Sequence, residues 1–111
     1  MAKTTAESFI EDLNPAEKAR AALVDAILPT LRERALAADR DGAFNHDNLA
    51  LFREHNLTGL VIPQEFGGLG GGLRDLAAAT FALGTACPST ALCFFFHCST
   101  SSRGLLALVA I

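Results

Sequence analysis

Cys93 and His97 stand four residues apart, and Cys98 follows directly. On a helix that spacing puts a thiol and an imidazole on one face, the start of a metal site or of an activated nucleophile. The rest of the chain completes neither. A structural zinc site takes four ligands, usually in short Cys/His pairs, and the remaining Cys87 lies across Pro88. A nucleophilic thiol needs a base oriented by a third group beside an open cleft, and no such pattern is visible. The expectation is therefore no metal and no catalytic residue. His97 reads as a core histidine bonded to backbone or to a hydroxyl, and the cysteines as small hydrophobes.

The second suspect is residues 63–72, PQEFGGLGGG, with five glycines in ten positions. A dinucleotide fingerprint requires G-x-G-x-x-G between a strand and a helix. Here Gly68, Gly70 and Gly72 alternate, and no strand–helix–strand pattern surrounds them. The Gly-Lys-Ser/Thr of a P-loop is also missing. A helix is expected just after the loop, so an anion at its N-terminus stays open as an alternative; the expected role is a structural turn. His46 and His55 read as solvated. Arg32, Glu33, Arg34, Asp39, Arg40 and Asp41 read as a solvated face with helical ion pairs. No carboxylate pair is spaced for acid–base work.

The elements that must position these residues are legible in the composition. Twenty Ala and seventeen Leu stand against three Val and four Ile. Helices favour the first two and strands the others, so the fold class is all-α, a helical bundle of about four helices. At 111 residues the chain is one domain at most. Half of it is hydrophobic, which excludes a disordered tail, and a net charge of −3 excludes an electrostatic nucleic-acid binder. Three cysteines are too few and too odd in number for a disulfide scaffold, which fits reduced thiols and a cytoplasmic location. Residues 1–15 carry Lys3, Glu7, Glu11 and Asp12 and no apolar core of a signal peptide. No membrane span is expected: the most apolar window, residues 89–111, contains His97 and Arg103, and a central Arg costs about 2.5–3.5 kcal/mol on insertion.

Residues 1–13 read as a flexible N-terminus with a short turn near residues 9–13, and residues 14–111 as the helical domain. Asn14, Pro15 and Glu17 form a helix start with cap, N1 proline and capping-box glutamate. Leu23, Ile27, Leu28, Leu31 and Ala35 follow as its apolar stripe, with a kink at residues 26–29 because Pro29 removes a hydrogen bond. This helix should end near residues 39–41, closed by Gly42. A second helix spans residues 46–55 with Asn45 as its cap and Asn56 ending it in a left-handed conformation. Residues 57–62 read as extended loop. A third helix runs over residues 73–86 with Leu76, Ala79, Thr80 and Leu83 on one face. Ser89 caps a fourth from residue 90 onward. Phe94, Phe95 and Phe96 sweep about 200° of that helix, which marks it as the buried central one, with all three rings buried in a longer protein and at least one exposed in this chain by itself. The apolar stretch 104–111 reads as a point within a longer protein or as a segment docked into a partner.

Residues 60–70, LVIPQEFGGLG, resemble the (I/V)-P-x-x-(Y/F)-G-G-L-G segment of the acyl-CoA dehydrogenase family. Three further pieces agree in order: DRDGAF at 39–44 closing the long helix, LGTACPSTAL at 83–92, and His97-x-Ser99 on the last helix. Together they cover about residues 14–105. The resemblance implies the N-terminal helical domain of a three-domain enzyme, without the β-domain and the C-terminal four-helix bundle. Those two would hold FAD and supply the glutamate base that removes the α-proton of an acyl-CoA thioester. This chain alone is therefore expected to bind no FAD and do no redox chemistry, and the whole enzyme to be a homo-oligomer. The family's His-x-Ser helix lines the distal end of the acyl pocket. By that match Ala91, Leu92 and Phe95 are substrate-binding candidates, with Phe95 shortening the cavity; all three being plain core is the alternative. A flavin monooxygenase of the same fold and a stand-alone helical interaction module remain the other functional readings.

Overall fold

The computed structural model describes residues 4–41 and 46–110, except for the side chains of 6, 38, 39, 41 and 105–110. The elements are α1 (Thr5–Glu11), α2 (Pro15–Asp25), α3 (Leu28–Asp41), α4 (His46–Glu54), single 3₁₀ turns at Leu57–Gly59 and Gln64–Phe66, α5 (Leu73–Ala86) and α6 (Pro88–Ala110). No strand occurs among the described residues. The molecule measures 19 Å in its thinnest direction. A helix with its side chains is about 10–12 Å across, so the helices lie in two layers and none is enclosed on every side.

Local signals account for most boundaries. At α2 the Asn14 side chain accepts the Glu17 N–H at 2.8 Å, and Glu17 accepts the Asn14 N–H at 2.8 Å. The interruption expected around Pro29 falls at residues 26–27, between α2 and α3. It stays continuous by hydrogen bonds: Ile27 N–H donates to Val24 and Leu31 N–H to Ile27. Asn56 adopts φ 59°, the left-handed stop expected after α4. Gly42 and Asn45 lie outside the described residues.

Several expectations need correction. Residues 5–11 form a helix where only a turn near 9–13 was expected. Thr4 and Glu7 make a second capping box, and Leu13 buries the end of the segment in the core. With α1 present and the long helix divided, the described residues of the all-α bundle, expected at about four helices, hold six α-helices. Residues 57–62 are not extended: Leu57–Gly59 turns tightly, which sinks both Leu57 and Leu60 into the core. The inward stripe of α2 runs through Val24, and Leu23 is exposed. Helix α6 starts at Pro88, so Cys87 and not Ser89 holds the cap position. Pro at the first helical position is the same signal that opens α2.

The core is one cluster in which Val24, Ile27, Leu31, Phe52, Leu57, Leu60, Leu83 and Phe94 meet. Phe94 stacks on Phe52 with ring centroids 5.0 Å apart. Helix α6 is not buried all round. Phe95 and Phe96 are 39% and 59% exposed, because two layers cannot wrap a helix that is apolar over most of its circumference. No helix among the described residues is long and apolar enough to cross a membrane.

Candidate functional site

Helix α6 divides its residues between two faces. Ala91, Phe94 and Cys98 point into the core. Leu92, 57% exposed, stands outward with Phe95 and Phe96. The last two rings meet edge to face, centroids 6.0 Å apart at 69°. The three sequence-derived pocket candidates are thus split: Leu92 and Phe95 share an open apolar face, and Ala91 sits behind it. Phe96, which belongs to that open face, was not among the candidates. Its spacing, four residues from Leu92 and one from Phe95, is the signal that would have included it.

Among the described residues no third His, Cys, Asp or Glu joins Cys93 and His97 in a metal-binding group. Cys93 is exposed and Cys98 fully buried, so the two thiols lie on different sides of the helix. Burial pushes the Cys98 thiol up to about 11. His97 Nε2 donates to the Thr58 carbonyl at 2.7 Å, the backbone bond expected of it, although its ring stands at the surface and not in the core. The bond pins α6 to the turn before the glycine loop. Among the described residues no group of three or more His, Cys, Asp or Glu could hold a metal ion.

The glycine loop is closed on itself. Six successive N–H groups, from Phe66 to Gly71, donate to the carbonyls of Pro63, Gln64, Pro63, Gly59, Ile62 and Leu60. Gly72 N–H donates to the Asp75 carboxylate at 2.9 Å. A methyl at Gly68 would collide with the Ile62 carbonyl, and Gly70 takes φ 77°, which L side chains rarely adopt. A pyrophosphate needs free N–H donors converging on it; here all seven are spent, and the start of α5 already faces a carboxylate. The loop does not fit the phosphates of FAD or of a nucleotide. The donors of residues 66–72 are engaged as in a structural turn, and the start of α5 already holds a carboxylate.

Sequence reasoning missed the polar centre that fixes this loop. Arg20 on α2 donates to both oxygens of Asp75, from Nε at 2.6 Å and Nη2 at 3.3 Å. The Asp75 side chain is only 3% exposed. Burial pushes its carboxyl up, but the Arg20 hydrogen bond, the Gly72 N–H and the Arg20 charge outweigh burial and hold it below the usual Asp value. The same hydrogen bond raises Arg20 further above its ordinary range. One residue earlier, Arg74 reaches Glu17 at 3.2 Å and the Asp12 carbonyl at 2.8 Å. The partners are 55 residues apart in the Arg20–Asp75 case, so no local spacing announced them. Part of the expected solvated charge face is engaged too: Arg34 donates to Asn48 at 3.2 Å.

Among the described residues, fold and site define a class: a two-layer helical domain with a self-closed glycine turn, an open apolar face on α6 and no complete catalytic constellation. The model of the acyl-CoA dehydrogenase N-terminal domain matches residues 11–108, so this chain belongs to the acyl-CoA dehydrogenase family through that domain. Among curated proteins it is similar to "Acryloyl-CoA reductase (NADH)" of Anaerotignum propionicum, 37% identical over 59 residues. That match covers 53% of this chain and 15% of the reductase, so the chain spans a small part of that relative's length. No solved structure matches it.

Proposed function

We propose that this chain serves as the N-terminal helical domain of an FAD-dependent acyl-CoA dehydrogenase-like oxidoreductase that desaturates an acyl-CoA thioester between its α and β carbons. Flavin and the base that takes the α-proton belong, in this reading, to a β-domain and a C-terminal bundle outside this chain. The chain by itself is inactive and binds no flavin; the spent donors of the glycine loop support that. The whole enzyme is cytoplasmic and homo-oligomeric.

The observation that carries the reading is the open face of α6 in a domain of this family. Leu92, Phe95 and Phe96 present apolar surface that a thioester's alkyl chain can cover, and Ala91 backs it from the core. Their work is to bind and orient the acyl group and to exclude water from it. Phe95 and Phe96, meeting edge to face, would shorten the space for an acyl chain laid along this face. The expected substrates are therefore short acyl thioesters, in keeping with the acryloyl group in the name of the similar reductase.

The test is the acyl-length profile of the enzyme that contains this domain. Phe95→Ala should shift kcat/KM toward longer acyl-CoA by about tenfold or more, since each methylene newly accommodated is worth about 0.8 kcal/mol and tenfold is about 1.4 kcal/mol. An unchanged profile would remove Phe95 from the pocket.

A further inference from the structure

We draw no further inference here: the strongest candidate, the buried Cys87 thiol at the corner between α5 and α6, which accepts a hydrogen bond from Thr90 at the N-terminus of α6, is a lone cysteine with no second feature among the described residues that points to a ligand.

Discussion

Replacing Asp75 by Ala should cost the domain about a third of a typical small domain's stability. The carboxylate holds Arg20 through two hydrogen bonds and takes the Gly72 N–H. Losing a charge-assisted bond of this kind costs about 1.5–3 kcal/mol. Losing the acceptor at a helix N-terminus adds about 1 kcal/mol. Breaking a fully buried pair costs about 3–5 kcal/mol, but the Arg20 side chain is 19% exposed and can turn partly to water. The expected loss is about 3 kcal/mol. With a urea slope near 1.5 kcal/mol per molar, the midpoint should fall by about 2 M. Asp75→Asn keeps the volume and one acceptor and should lose about half as much. The pH dependence follows from the depressed carboxyl. Above the unfolded Asp value, about 3.9, the contribution is fully present; as pH falls through the lower folded value it is lost. Urea melts of the chain at pH 6 and near pH 3 should show the gap between wild type and Asp75→Asn closing at the lower pH. A midpoint for Asp75→Ala within about 0.3 M of wild type at pH 6 would refute the clamp.

Phe94→Ala should cost about 3–5 kcal/mol, because that ring is buried against Phe52, whereas Phe96→Ala should stay within about 1 kcal/mol in this chain. Equal losses in urea melts would mean that α6 sits in a different rotation. Of the three thiols, Cys93 should react first with a maleimide under native conditions and Cys98 last, since only Cys93 is exposed and Cys98 is raised by burial. Cys93→Ser should abolish the fast phase; a fast phase that survives would contradict the packing of α6.

What the sequence made legible was local. Asn14-Pro15-x-Glu17 and Asn56 each act within three or four residues, and each does in the fold what its type requires. The misses have two physical sources. Some were local signals passed over: the Thr4–Glu7 capping box and Pro88 at the first turn of α6 follow the rule that was read correctly at α2. Others were not local at all. Asp75 looks like one more surface acid until α2 and α5 pack and bring Arg20 to it. That at least one Phe ring of α6 stands exposed in this chain was legible from the helix's apolar circumference, but which rings do, Phe95 and Phe96, depends on how the helix is rotated against the core. The candidate site shares that difficulty. Its residue types were visible, but the division of Ala91 from Leu92 and Phe95 is set by the rotation of the helix against the core.

The central claim, that this domain works inside a flavin-dependent acyl-CoA dehydrogenase, is tested most directly by one spectrum. The protein encoded by the complete reading frame should be purified, its visible absorption recorded, and a short saturated acyl-CoA added without oxygen. The account predicts a bound flavin band that bleaches on addition of the thioester. A protein that carries no flavin, or a flavin band that no acyl-CoA bleaches, would contradict it.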